Sequence, residues 1–441
     1  HTQRPPAPPP SPPPRPPRTP GPHDQDRRRL NPDSTDRREQ DTTLAEGSTS
    51  LNYGCDPTAD SLQDGNMIGL LALRRFQEAG HRPIALAGGA TGMVGDPSGR
   101  SDERNLLDAD TLAHNVGRIE TQLRQFLDFE TDGARRALLV DNRSWTEPIS
   151  VLEFLRDVGK HITVNQMIAK ESIKARLEGT AGISYTEFSY MLLQANDFAW
   201  LAEHEACRLQ IGGSDQWGNI TAGIDLIRRR LGEAAHGLTW PLMTRADGAK
   251  FGKTADGTVW LAADRTSPYQ FFQYWMQVDD SDVERFLLQL TMLPVEECRA
   301  IAAAHASEPQ RRDGQRRLGQ EITRLVHGAD ALRAAESASE ILFGRPLDDA
   351  DAAAFGVLAD EVPSTEVPRT RIADGIGVLD LLAESGLAKS KGEVRKNPTG
   401  FSVNNDRIEL DQVVTLDDVQ GGRYLLLRKG RRSHHLVVAV E

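Results

Sequence analysis

Three groups of side chains in this chain have the types and spacing for chemistry: two suited to phosphate and one that gathers polar groups on a single helical face. The first lies in residues 51–69, LNYGCDPTADSLQDGNMIG, where an apolar opening meets Gly54, then Asp56-Pro57-Thr58, Asp60-Ser61 and Gly65, before a helix-spaced apolar run. That order predicts strand, tight loop and helix N-terminus. Free N–H groups at a helix start, reinforced by the macrodipole, favour an anion such as phosphate, and Gly65 leaves no side chain in its way. The second group is KFGKT at residues 250–254, where two lysines flank a glycine in a polar loop suited to closing over a triphosphate as charge builds. The third is YMLLQAND, residues 190–197: on a helix Tyr190, Gln194 and Asp197 share one face at i, i+4 and i+7.

The elements that must position these groups follow from periodicity. Residues 66–80 carry a broad apolar helical face ending at Gly80. Residues 83–87 read as a buried strand before the loop GGATGMVGDPSG, residues 137–140 as a strand ending in Asp141-Asn142, and residues 208–211 as a strand running into GGSDQWGN. Short apolar strands separated by helices imply a parallel sheet covered on both faces, with ligands beyond the strand C-terminal ends. Residues 164–179 predict a loop and amphipathic helix, and beyond residue 261 the pattern is helical through about residue 335. Residues 345–370 read as a proline-punctuated linker, and residues 371–441 as a helix, a basic LAKSKGEVRK segment and short alternating strands. The first 48 residues, Pro-rich and then Arg-, Asp- and Thr-rich, predict a disordered tail.

Bulk properties narrow the class. A chain of 441 residues predicts several domains. Three cysteines without metal-ligand spacing argue against a disulfide framework or bound metal and for a reducing cytoplasm. No apolar run is long enough to span a bilayer, and no secretory signal is expected. The formal net charge of −12 argues against a protein that coats nucleic acid non-specifically, while leaving room for an RNA docked on a local basic face.

Residues 51–69 closely resemble the first signature of class I aminoacyl-tRNA synthetases, in the longer frame of the bacterial tyrosyl enzymes: Gly54, Asp56 to Ala59, Ser61, Leu62, Gly65 and Asn66 match. The resemblance implies an α/β architecture: a Rossmann-like catalytic domain over residues 49–260, a helical domain over 261–344 on the anticodon side, and a small α+β RNA-binding domain over 371–441. It implies tyrosine activation by ATP, accompanied by Mg2+, and transfer of the tyrosyl group to tRNA(Tyr) by a homodimer. Catalysis would fall to Lys253, then Lys250, on the pyrophosphate oxygens, with Thr254, Thr58, Gln63 and Asn66; Arg100 and Arg104 are further candidates. Asp197 would accept the phenol O–H, Tyr190 and Gln194 would hold the amino group with Asp96, and Asn52, Asp56, Gln210 and Gln216 would complete the tyrosine site. Gly54, Gly65, Asn66, Gly212, Asp215 and Lys253 would meet ATP, and Lys389, Lys391, Arg395 and Lys396 the tRNA backbone.

The pattern departs at three places. Asn52 stands where the family has a tyrosine, with Tyr53 as the neighbouring phenol that could replace it; Gln63 replaces a histidine and cannot become cationic; Asp64 brings negative charge beside the triphosphate. The helix expected before the first signature lacks its apolar face upstream of residue 43, and Asn397-Pro398 interrupts the basic helix. These departures leave open a synthetase-like RNA-binding protein with impaired or lost activation. A tryptophan enzyme of the same fold is disfavoured by Asp197.

Overall fold

The computed structural model describes residues 22–30, 33–98, 107–178, 182–244, 253–254, 257–345, 347 and 352–441. Contacts divide the chain into two units, residues 1–261 with 284–300, and residues 262–283 with 301–441.

The first unit opens with two helices, α1 (Pro22–Arg27) and α2 (Arg37–Ala45), inside the stretch expected to be disordered. A composition averaged over the tail misses how few residues anchor it. Leu30 and Leu44 are buried, and the buried Arg28 guanidinium donates to the carbonyls of Leu288 (3.0 Å) and Leu293 (2.9 Å) while pairing with Asp24. Residues 33–35 then add to a sheet edge, Thr35 N–H donating to Gly237 O and Thr239 N–H to Asp33 O. Residues 1–21 lie outside the described residues.

Next come β1 (Ser50–Cys55), α3 (Met67–Glu78), β2 (Arg82–Ala87), α4 (Ala109–Phe126), β3 (Leu138–Asp141) and four short helices, α5 (Arg143–Thr146), α6 (Val151–Asp157), α7 (Val164–Ile168) and α8 (Glu171–Glu178). The long helix α9 (Tyr185–Glu205), β4 (Cys207–Gly213), α10 (Trp217–Leu231) and β5 (His236–Trp240) complete the main layers, and a small ribbon, β6 (Lys253–Thr254) with β7 (Gly257–Thr258), follows. The five main strands run in parallel in the order β3-β2-β1-β4-β5. Strand order therefore reverses beside β1, and the crevice beyond the C-terminal ends of β1 and β4 is the topological switch point. One face of the sheet is covered by α9 and α10, whose Met191, Ala195, Phe198, Leu226 and Ile227 pack with Ile84 and Leu86 in a buried cluster.

α9 carries Tyr190, Gln194 and Asp197, and its sequence fixes its start. Ser184 caps it, accepting from Glu187 N–H, and the buried Glu187 carboxylate takes both terminal nitrogens of Arg176 from α8, at 3.2 and 2.8 Å.

The chain continues through α11 (Pro268–Met276), α12 (Val283–Leu290), α13 (Val295–Ser307) and α14 (Asp313–Leu342), the last kinked at Gly328, where φ is 88°. In the second unit follow α15 (Ala352–Glu361), β8 (Ser364–Pro368), α16 (Arg369–Ala373), β9 (Ile376–Gly377), α17 (Val378–Glu384), α18 (Lys391–Lys396), β10 (Phe401–Val403), β11 (Asp406–Arg407), β12 (Val413–Val414), β13 (Tyr424–Lys429) and β14 (Ser433–Val440). The expected linker is thus structured: α15 buries Ala354, Phe355 and Leu358, and β8 pairs in parallel with β14 at the end of a five-stranded sheet. Its prolines sit at element boundaries, Pro363 just before β8 and Pro368 at its last position, so they punctuate structure without excluding it. Pro398 likewise opens a 3-10 turn after α18, and Phe401 beyond it is buried and paired with Lys429.

Candidate functional site

A cavity of about 630 Å³ opens at the switch point, lined from β1, the loops after β1 and β2, α9, and the end of β4. It gathers Asn52, Gly54, Asp56, Thr58, Gln63, Gly65, Asn66, Asp96, Tyr190, Gln194, Asp197, Gln210, Gly212, Asp215 and Gln216 into one wall, residues drawn from four separate sequence motifs. The lysine motif is different. Lys250, Arg100 and Arg104 lie outside the described residues, and of Lys253 and Thr254 only the backbone, in β6, is described. The chain on either side of that motif borders the cavity region: Thr244 lines it, and Trp260 bridges to Gln63 while Asp64 N–H donates to Val259 O.

Asp197, on α9, is 3% exposed and lines the cavity. Its Oδ1 accepts from the Trp145 indole at 2.8 Å and its Oδ2 from Asn142 Nδ2 at 2.9 Å. Burial nonetheless pushes its carboxyl up to about 7, because desolvation outweighs both donors. Asn142 is fixed in turn: its Oδ1 accepts from Ala90 N–H at 2.7 Å, and its Nδ2 also reaches Thr91 Oγ1 at 3.1 Å.

Asp56, just past β1, accepts from Thr91 Oγ1 at 2.8 Å and from the Tyr190 hydroxyl at 2.7 Å. Gly88 is required for this approach, since a Cβ there would stand 2.3 Å from Asp56 Oδ1. Asp96 accepts from Gln216 Nε2 at 2.6 Å and from Ser98 N–H at 2.9 Å. Asn219 Nδ2 links Gln194 Oε1 (3.0 Å) to Gln216 Oε1 (3.2 Å). Asp215 is raised by burial and then by the neighbouring Asp96 charge. A cation such as an α-ammonium would relieve this clustering of Asp56, Asp96 and Asp215.

At the other end, α3 begins after the 3-10 turn Asp64–Asn66, so its first N–H groups point toward the cavity rim. A Cβ at Gly65 would meet nothing within 4 Å, leaving room for a bulky anion. Asn66 Oδ1 accepts from Gln63 N–H at 3.0 Å, while its Nδ2 reaches the Tyr53 hydroxyl at 3.4 Å. Asp64 is buried, and its Oδ1 accepts from Gly65 N–H at 2.8 Å. Gln63 is exposed at the rim.

Tyr53 lines the same cavity as Asn52 but from another direction. Alternation along β1 sends it to the face opposite Asn52, where its ring packs over Gly69, 2.4 Å from a notional Cβ, and against Trp240. Asn52 itself is 1% exposed beside its register partner Gln210.

In the second unit Lys389, Lys391, Arg395 and Lys396 are all exposed at or on α18, with Lys391 paired to Asp380. The β13–β14 hairpin brings Lys429 onto Glu393 of α18 at 2.7 Å, so Arg431 and Arg432 at its tip extend the basic surface. Sequence reasoning missed these two, and also Asn142, Trp145 and Thr91. For Asn142 the signal was a polar residue directly after a short apolar strand; for Trp145 there was none.

A parallel sheet whose switch-point cleft combines a helix N-terminus, Gly-bounded loops and clustered carboxylates defines a nucleotide-binding α/β unit with room for a second, cationic ligand. The model of class I tRNA synthetases for tryptophan and tyrosine matches residues 44–344, and that of the tyrosine–tRNA ligase C-terminal domain matches residues 355–437. The tyrosine–tRNA ligase of Opitutus terrae is 51% identical over 417 residues, covering 94% of this chain and 98% of the relative; that of Roseiflexus castenholzii is 49% identical over 401 residues, covering 90% and 94%. A C-terminally truncated mitochondrial tyrosyl-tRNA synthetase of Aspergillus nidulans superposes with TM-score 0.66 at 29% identity, covering 73% of this chain and 93% of that one. The chain belongs to the tyrosine–tRNA ligase family of class I aminoacyl-tRNA synthetases.

Proposed function

We propose that this chain activates tyrosine with ATP, releasing pyrophosphate, and passes the tyrosyl group to tRNA(Tyr). The observation that carries this reading is the buried Asp197 at the floor of a cavity that also holds the α3 N-terminus. Activation needs no covalent nucleophile. The tyrosine carboxylate attacks the α-phosphorus, and the protein's work is to align the two and stabilise charge on phosphorus and leaving group.

In this reading Asp197 accepts the phenol O–H, with Asn52 and Gln210 beside it. Tyr190, Gln194, Asp96 and Asp56 hold the ammonium, and Gln216 the carboxylate. The α-phosphate meets the open backbone near Gly54 and Gly65, the ribose Gly212 and Asp215, and the β- and γ-phosphates Thr58, Gln63, Asn66, Lys250, Lys253 and Thr254. Mg2+ travels with ATP, and the donor set here favours that over a resident ion, because the cavity carboxylates are engaged by protein donors. Tyrosine-dependent ATP–pyrophosphate exchange tests the assignment: exchange with tyrosine and none with phenylalanine is expected, and its absence with folded protein would favour the impaired-activation reading that Gln63 and Asp64 motivate.

We further propose a homodimer. Val151, Leu152 and Leu155 on α6 and Val164 and Ile168 on α7 are apolar and exposed, Leu152 by 79%, which is costly on a monomer surface. Sedimentation should give twice the chain mass, and Leu152→Asp should lower it. Among the described residues no helix is long and apolar enough to cross a membrane, in keeping with work in the cytoplasm alongside tRNA. The basic surface of α18 and the β13–β14 hairpin is the tRNA-backbone contact in this proposal, so Arg395→Ala with Lys396→Ala should weaken tRNA binding and flatten its salt dependence.

A further inference from the structure

The two side chains that donate to Asp197 are secured in different ways. Asn142 is tied to backbone, its Oδ1 accepting from Ala90 N–H at 2.7 Å. The Trp145 indole has a single donor, which goes to Asp197 Oδ1 at 2.8 Å, and no second polar group to orient its ring. It stands on α5, whose four residues are too few to hold a position by themselves. A stack of rings supplies what is missing. The Trp145 and Trp200 centroids are 4.2 Å apart with 10° between the planes, and those of Trp200 and His204 are 4.3 Å apart with 11°. Asp197, Trp200 and His204 fall at i, i+3 and i+7 of α9, a single stripe, so that stripe meets Trp145 at its edge through the carboxylate and at its face through Trp200. Trp145 is 6% exposed, Trp200 half-buried and His204 exposed, and the column runs from the cavity carboxylate outward to solvent. His204 closes its outer end. Its Nδ1 lies 2.9 Å from the Trp200 carbonyl oxygen, which can only accept, so Nδ1 carries a proton and the ring is tied down over Trp200.

We propose that Trp200, backed by His204, is a positioning residue for amino-acid selection: it holds the Trp145 indole in the plane that keeps its N–H on Asp197 Oδ1, and so keeps that carboxylate set to receive the phenol. The inference rests on the reading of this cleft as a tyrosine pocket. Trp200 and His204 are not among the residues lining the cavity, and they act through Trp145. Without the stacked plate the indole is free to turn about its side-chain torsions and its N–H leaves the carboxylate. Asp197 then keeps its burial but only one of its two donors, which disfavours the ionised form that accepts from the phenol.

Two measurements on the full chain test it. In the ligand-free protein, nuclear magnetic resonance follows solvent exchange of the Trp145 indole N–H, its signal assigned by its loss in Trp145→Phe. Solvent exchange should be about three- to tenfold faster in Trp200→Leu, which keeps an apolar side chain but has no ring to stack, and near the wild-type rate in Trp200→Phe, which restores one. In tyrosine-dependent pyrophosphate exchange, Trp200→Leu should raise the KM for tyrosine by about three- to tenfold with kcat and the KM for ATP little changed, and Trp200→Phe should bring it back. A general loss of packing would lower thermal stability without singling out tyrosine. An N–H that exchanges at the wild-type rate in Trp200→Leu overturns the proposal, as does an unchanged KM for tyrosine in that variant or a Trp200→Phe protein indistinguishable from it. If Trp200→Leu does not fold, His204→Ala at the exposed end of the stack decides: N–H exchange about twofold faster supports the proposal and an unchanged rate overturns it. Wild-type protein that does not bind tyrosine would defeat the pocket reading, while N–H exchange would still decide whether Trp200 holds Trp145 on Asp197.

Discussion

At the ring end of the cleft, Asp197 is 3% exposed and both its oxygens accept from side chains that are themselves fixed; at the phosphate end, Gln63 is exposed and Gly65 has open space where a side chain would begin. The first region is built before any ligand arrives. The second offers backbone donors and a helix N-terminus, and in the proposed mechanism its positive charge comes from lysines of the 250–254 motif. Discrimination between amino acids requires groups that cannot relax toward a wrong ligand, whereas binding energy that appears only as charge develops is best kept out of the ground state.

The largest expected effect tests the phosphate side of that contrast. Lys253→Ala should cut kcat for pyrophosphate exchange by about 10²- to 10³-fold with the KM for tyrosine little changed, since the lost contact is made in the transition state. A rise in KM for tyrosine with kcat preserved would erase the distinction between the two ends. Next, Asp197→Ala should lower kcat/KM for tyrosine by about 10- to 100-fold, the worth of a hydrogen bond to a charged group, with the KM for ATP nearly unaffected; equal loss for both substrates would mean the ends are not separable.

Acidity sharpens the same comparison. With its carboxyl pushed up to about 7 by burial, Asp197 is protonated below that value and loses acceptor capacity, so kcat/KM for tyrosine should rise with pH through about 7 and level off above it. For the ligand-free protein the sign reverses. The folded value exceeds the unfolded carboxylate value of about 4, so the stability Asp197 contributes is fully present below that and lost as pH rises through about 7. Thermal unfolding of wild type against Asp197→Asn between those limits should show the difference shrinking in acid. The smallest effect belongs to the rim: Gln63→His should raise exchange by about threefold to tenfold near neutral pH, as a neutral amide contact to phosphate becomes partly charge-assisted. A loss instead would indicate that Gln63 is already matched to its site.

The two ends also differed in how much the sequence disclosed. The cleft-lining motifs were legible because each follows a short buried strand, and parallel sheets place such loops together; Tyr190, Gln194 and Asp197 were legible because helical spacing puts them on one face. The orientation of Tyr53 could have been read from the period of two in β1, which separates it from Asn52 and Gly54. Trp145 could not, since its role comes from a tertiary approach of α5 to α9 that leaves no local pattern. The docking of α1 was hidden for a related reason: Arg28 acts through the carbonyls of Leu288 and Leu293, 260 and 265 positions away, beyond any windowed average. Helix α15 was obscured by an alanine-rich run between acidic residues and prolines, whose burial of Phe355 and Leu358 depends on strands near the chain end.

That arrangement around α15 has a consequence for how the chain can be shortened. Ala338 and Ile341 near the end of α14 share one apolar cluster with Phe355, Leu358, Leu426, Leu436 and Val438. A protein cut after residue 344 would present those α14 side chains to water, so the carboxyl-terminal fold is also a cover for α14. Losing it would bring stickiness before it brought any loss of adenylate chemistry.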